Sequence, residues 1–160
     1  DALQVSVPRQ EFSLKWPNDV LTGSQKICGI LVEQHGIEDQ QGVLIGIGVN
    51  VNNSLRGAPT EVAHRATSLF DLLDHSFDLT TMLIGILQRL DFRINQLTVQ
   101  PRLALSEANR HNILTGRSVT LQLEESTVTG TCLGIDEDGQ LVLQSESQLH
   151  RCTSGVVVRW

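Results

Sequence analysis

Between residues 11 and 16 apolar and polar side chains alternate, with Phe12, Leu14 and Trp16 on one side. This is the period of a half-buried strand, and Pro17 ends it because proline cannot donate to a sheet ladder. A polar loop with a Gly23-Ser24 turn is expected from Asn18 to Gln25. Residues 26–33 read as a second strand, 34–42 as a polar connection, and 43–49 (Val-Leu-Ile-Gly-Ile-Gly-Val) as a short buried strand. Such short connections predict three neighbouring antiparallel strands. The period then becomes helical. Thr60-Glu61 opens a short helix to about Leu73, and Asp78 caps a longer one. In the latter, Leu79, Met82, Leu83, Ile86, Leu87, Leu90, Ile94 and Leu97 form an apolar stripe that should lie on a sheet. Pro101 starts a third helix, to about Asn112. From Ser118 to Trp160, five short β runs broken by polar turns predict a small barrel. The pattern predicts an α+β chain: an antiparallel or mixed sheet packed by helices over residues 1–115, then a small β-barrel domain over 116–160.

Composition narrows the function classes. The chain has 160 residues, 12 Lys plus Arg against 18 Asp plus Glu, and a net charge of −6. An acidic balance argues against a general nucleic-acid binder, which needs a basic face. No run reaches the ~18–20 apolar residues of a membrane span. Three cysteines (Cys28, Cys132 and Cys152) without a CxxC pair suggest reduced thiols in a cytoplasmic protein rather than a disulfide framework or a zinc site. The chain begins at Asp1 without Met and without a signal peptide, so it reads as the C-terminal part of something longer.

Most common motifs fail. Gly46-x-Gly48 is not completed to GxGxxG, because position 51 is Val. There is no Walker A sequence, no HExxH and no Gly-x-Ser-x-Gly elbow. Asp136-Glu137-Asp138-Gly139 lacks the glutamate that a calcium loop needs at position 147 and reads as a hairpin turn.

Two features carry chemistry. The chain has ten arginines but only two lysines, Lys15 and Lys26, and both flank the segment Trp16 to Gln25. A compact ammonium suits a single anionic or polarised oxygen, although two lysines also fall together by coincidence. Strand 43–50 has unequal faces. Val43, Ile45, Ile47 and Val49 share the core side, and Leu44, Gly46, Gly48 and Asn50 the other. Bare backbone beside an amide admits a closely approaching ligand, or else a tightly packed helix. Gly29 would extend this floor. Strict alternation puts Lys26 and Gly29 on opposite faces, so a bulge, or a strand that starts after Lys26, is required if both meet one ligand.

Three linked strings resemble the biotin protein ligase family: Lys15-Trp16-Pro17-Asn18-Asp19, then Lys26-x-x-Gly29-Ile30-Leu31-Val32-Glu33, then Gly46-Ile47-Gly48-Val49-Asn50-Val51-Asn52. Ala66-Thr67-Ser68-Leu69, the helices and the small β domain are similar to the rest of that family. The resemblance implies a class II synthetase-like core followed by an SH3-like barrel. It also implies an ATP-dependent ligase that joins biotin to AMP, releases pyrophosphate, and transfers biotin to a lysine of a carboxylase's biotin carrier domain. Biotin and ATP are then substrates, with Mg²⁺ as activating ion and no metal ligands assigned. By the same resemblance Lys26 lies at the biotinyl carbonyl and phosphate, Gly29 against the biotin ring, and Asn50 near the adenine. Asp19 assists the incoming lysine or the metal. Lys15, Gly46 and Gly48 belong to the same adenylate-binding set. Trp16 and Asn18 shape the loop, Trp16 either toward the adenylate or as a packing residue.

One departure from the family pattern is the Gly-Arg-Gly-Arg-Arg-Gly phosphate loop, which is not among these 160 residues. The expectation is that this chain alone has little or no ligase activity; pyrophosphate release near the rate of an intact ligase would contradict it. No DNA-binding segment is recognised. Rival readings are a lipoate ligase of the same fold and a non-catalytic docking module. A truncated sheet edge also makes a homodimer an expectation.

Overall fold

In the computed structural model, residues 1–37, 40–146 and 148–160 are described. A short helix, α1 (Ala2–Ser6), comes first and has no forerunner in the hydrophobic pattern. β1 (Ser13–Lys15), β2 (Asp19–Thr22), β3 (Gln25–Ile37) and β4 (Gln40–Val49) form an antiparallel sheet in that order. The expected three strands are therefore four. β2 occupies part of the segment read as a loop, because four residues are too few for a period to show. β3 and β4 also stay paired as far as Ile37 and Gln40, so most of the expected polar connection is strand. Residues 38 and 39 of that connection lie outside the described residues.

The register of β3 breaks once. Val20 pairs with Cys28 and Leu21 with Lys26, which leaves Ile27 as the extra residue of a bulge. Ile27 is fully buried. The expected split of the β4 faces holds for Ile47 and Val49, which pack on the core. It fails for Val43, which is 61% exposed where the hairpin outruns the helices.

The single helix expected up to Leu73 is two, α2 (Thr60–Arg65) and α3 (Leu69–Leu73), separated by extended backbone at Ala66 and Ser68. α4 (Leu79–Val99) and α5 (Pro101–His111) follow. The Asp78 side chain caps α4 by accepting from the Thr81 N–H at 2.7 Å. Of the α4 stripe, Met82 is buried and Ile86 packs on the sheet core, while Leu79, Leu83, Leu87, Ile94 and Leu97 are exposed. The stripe thus reaches the core only at Met82 and Ile86, in the first half of the helix. The accessible surface is 10756 Å², against about 7,900 Å² for a compact monomer of this mass. An apolar cavity of about 370 Å³ lies on the helix side, lined among others by Leu3, Phe12, Leu14, Ile30 and Ile86.

β5 (Ser118–Gln122), β6 (Thr127–Ile135), β7 (Leu141–Ser145), β8 (Gln148–Cys152) and β9 (Val156–Arg159) form the second sheet, in the order β8-β7-β6-β5-β9. It is the small SH3-like barrel, closed on a core of Val119, Leu121, Cys132, Leu141, Leu143 and neighbours. The Asp136–Gly139 segment is a turn, with Asp136 Oδ1 accepting from the Asp138 and Gln140 N–H groups. A Cβ on Gly130 would lie 2.6 Å from the Gln144 carbonyl oxygen, which is β7 backbone and cannot yield. Gly130→Ala is therefore expected to cost about 1–3 kcal/mol, read as a lower urea midpoint at unchanged m-value.

Trp16 corrects the expected Phe12–Leu14–Trp16 face. Phe12 and Leu14 line the helix-side cavity. Trp16, beyond the end of β1, turns into the barrel core and is only 7% exposed. The three cysteines are buried and unbridged, and burial pushes each thiol pKa up.

Candidate active site

The bulge at Ile27 decides the site. It turns Lys26 onto the face that carries Gly29, where a Cβ on Gly29 would come within 2.9 Å of Lys26 Nζ. Asp19, paired with Gly29 across the ladder, presents its carboxylate to the same ammonium. Asp19 Oδ1 is shielded from water and accepts no other hydrogen bond; Lys26 keeps 45% of its side chain exposed. Gly29 in turn pairs with Gly48, and Gly46 follows opposite Leu31. Gly46 and Gly48 are both exposed, so the floor beside the ammonium is bare backbone open to solvent.

A second cation borders Asp19. Lys15 pairs with it across β1 and β2. Burial lowers the Lys15 pKa; Asp19 opposes that, and Lys26 and Arg65 add to it. Lys15 Nζ also reaches the Val157 carbonyl at 3.5 Å and lies 5.8 Å from the Trp160 ring centroid. Arg65 ends α2, one residue before Ala66, which bridges to Lys26. It has no carboxylate partner among the described residues. Lys15 and Lys26 at one carboxylate, with Arg65 acting on Lys15 from the end of α2, concentrate positive charge in a chain of net charge −6. Sequence reasoning passed over Arg65; its position directly before Ala66-Thr67-Ser68-Leu69 is the signal that was there to use.

Asn50 is held near this centre but acts on the backbone. Its Nδ2 donates to the Thr67 carbonyl at 3.0 Å, and the Thr67 N–H donates to the Lys26 carbonyl at 2.9 Å. The buried Thr67 thus ties Asn50 to Lys26. Asn18 is exposed and contributes its carbonyl to the Ile30 N–H at 2.9 Å. The structure brings together Lys15, Asp19, Lys26, Gly29, Gly46 and Gly48, with Asn50 behind them. It does not bring Trp16, whose indole is in the barrel core with Nε1–H donating to the Gly139 carbonyl at 3.1 Å. Among the described residues, no three His, Cys, Asp or Glu side chains converge as a metal site.

Comparisons with known proteins place the whole chain. The profile of the Biotin/lipoate A/B protein ligase family matches residues 7–50, and that of the biotin protein ligase C-terminal domain matches residues 114–160. A biotin--[acetyl-CoA-carboxylase] ligase of Mycobacterium tuberculosis is 35% identical over 156 residues, covering 96% of this chain and 55% of that protein. The bifunctional ligase/repressor BirA of Bacillus subtilis is 32% identical over 148 residues, 90% of this chain and 45% of its own length. The chain thus spans about half the length of these curated relatives. A biotin protein ligase from Aquifex aeolicus superposes with a TM-score of 0.86 at 28% identity, over 99% of this chain and 69% of that one. The same enzyme solved with biotin and ATP gives 0.82 at 29% identity, over 98% and 64%. With both characteristic domains matched in order and one fold running through nearly every residue, the chain belongs to the biotin protein ligase family.

Proposed function

We propose that this chain carries the adenylate-forming centre of a biotin protein ligase. The carrying observation is the Lys26–Asp19 ion pair over the Gly29–Gly48 floor. A biotin carboxylate oxygen attacks the α-phosphorus of ATP. The bond to the β-phosphate bridging oxygen breaks, and pyrophosphate leaves with that electron pair. The ε-amine of a carrier-domain lysine then attacks the acyl carbon of biotinyl-5′-AMP; AMP leaves, and the amine proton is lost. Both steps gather negative charge at oxygen, and the first brings two anions together.

Lys26 meets those demands as a point charge that needs no reorganisation when charge develops. Asp19 keeps the ammonium over the floor, and assisting the carrier lysine is its further role. Gly29 and Gly48 leave room for the biotin rings and the acyl phosphate. Lys15 and Arg65 supply the surrounding field, and a free guanidinium such as Arg65 suits phosphate oxygens. Asn50, beside the adenine, holds Thr67 and through it the backbone of Lys26. Mg²⁺ enters as the ATP complex. The described carboxylates do not form a resident site for it, and Asp19 is already paired.

Gly29→Ala places a methyl against Lys26 Nζ, the mobile end of a long side chain. The fold is expected to survive, with affinity for biotinyl-5′-AMP lowered about tenfold, or ~1.4 kcal/mol, by calorimetry. The function itself is tested in the natural gene product that carries these residues. With biotin, ATP and a purified biotin carrier domain, it is expected to release pyrophosphate and biotinylate one lysine. Adenylate formed from lipoate and not from biotin would reassign the substrate. No adenylate from either acid, with carrier binding retained, would make the chain a docking module.

A further inference from the structure

We infer that Trp16 is a positioning residue: planted in the barrel core, it sets the turn that aims Asp19 at Lys26. The inference rests on the adenylate-forming reading of that ion pair. It concerns a residue that touches neither Lys26 nor the glycine floor, and it gives the barrel a task in the chemistry.

The connection is short. β1 ends at Lys15 and β2 begins at Asp19, so the turn between them is only Trp16-Pro17-Asn18. Its first residue is buried among Leu114, Val119, Leu121, Leu141 and Leu143, which are barrel residues or the approach to them. The indole N–H is fixed to the Gly139 carbonyl in the turn between β6 and β7. Three residues later the chain must deliver the Asp19 carboxylate to Lys26. Both ends of the turn are thus held, one by the barrel and one by the sheet.

Other contacts hold the barrel to the same place. The Ile113 N–H donates to the Leu14 carbonyl at 2.9 Å. From α5, Asn109 clasps β6 by donating to the Ile135 carbonyl at 2.6 Å and accepting from the Ile135 N–H at 2.7 Å. Lys15, on the near side of the turn, reaches the Val157 carbonyl. A shift of the barrel core is therefore separated from Asp19 by only Pro17 and Asn18.

The 160-residue chain has two lysines, so a nitrogen-15 spectrum holds two lysine ammonium signals beside that of the N-terminal amine, with Lys26 assigned by Lys26→Arg. Trp16→Phe keeps a ring in the core and loses the bond to Gly139. Leu143→Ala opens the same core from the barrel side. Both are expected to move the Lys26 signal toward its position in Asp19→Asn. Leu149→Ala, at an exposed barrel position, is expected to leave it in place. In the natural gene product, Trp16→Phe should lower kcat for adenylate formation about tenfold with the biotin KM nearly unchanged. In an Asp19→Asn background the same change should cost less than about twofold, because its effect runs through Asp19. An unmoved Lys26 signal in folded Trp16→Phe, or equal losses of kcat in both backgrounds, overturns the inference. A wild-type protein that makes no adenylate while the Lys26 signals shift as described overturns the functional reading and leaves the positioning role standing.

Discussion

Replacing Lys26 with alanine is expected to reduce biotinyl-5′-AMP formation by about 10²–10³-fold, the loss that follows removal of one preorganised donor to a developing oxyanion. The fold should survive the change, at a cost set by the shielded Asp19 oxygen that loses its partner. Nearly half of the Lys26 side chain is exposed, and its backbone, not its ammonium, bonds to Thr67. The deletion also leaves the Asp19 carboxylate beside the floor without its counter-charge, so anionic ligands should bind less well as well as react more slowly. Lys26→Arg keeps the charge but broadens a point donor into a planar fork, and it should recover only a minor part of the rate. Pyrophosphate release under single-turnover conditions reads the chemical step directly. A rate within a few-fold of wild type in Lys26→Ala would remove this residue from the reaction.

Trp16→Ala should be the most damaging single change to stability. Truncating a buried aromatic costs about 3–5 kcal/mol, and here it also removes the hydrogen bond from the indole N–H to the Gly139 carbonyl. The void opens in the barrel core, yet the residue belongs to the turn that ends at Asp19. Urea unfolding followed by circular dichroism should show the loss as a lower midpoint. A loss below about 1 kcal/mol would mean that the barrel core closes without it.

How far these features could be read in advance depended on how local their causes are. The Gly46/Gly48 floor follows from side-chain alternation alone and lies where the pattern put it. Lys26 and Gly29 share one face only with a bulge or a strand start after Lys26, and the ladder takes the bulge, at Ile27. β2 stayed hidden because a four-residue strand beside Asn, Asp, Gly and Ser looks like a loop until its partners are known. The α4 stripe shows the opposite failure. Its period correctly predicts a helix, but period says nothing of how much of the stripe a given sheet can cover, and Leu83 and Leu87 are left exposed. Trp16 was assigned with its neighbours in the strand although its burial is decided by a barrel more than a hundred residues away in sequence. Arg65 lay outside the strings that carried the resemblance, and only the bridge between Ala66 and Lys26 brings it to the site.

The most direct measurement is a crystal structure of the natural gene product with a non-hydrolysable analogue of biotinyl-5′-AMP. The account predicts the phosphoryl oxygens within hydrogen-bond reach of Lys26 Nζ, and the biotin rings over Gly29 and Gly48. A ligand seated in the apolar cavity on the helix side, with the Lys26 ammonium facing only water, would contradict it.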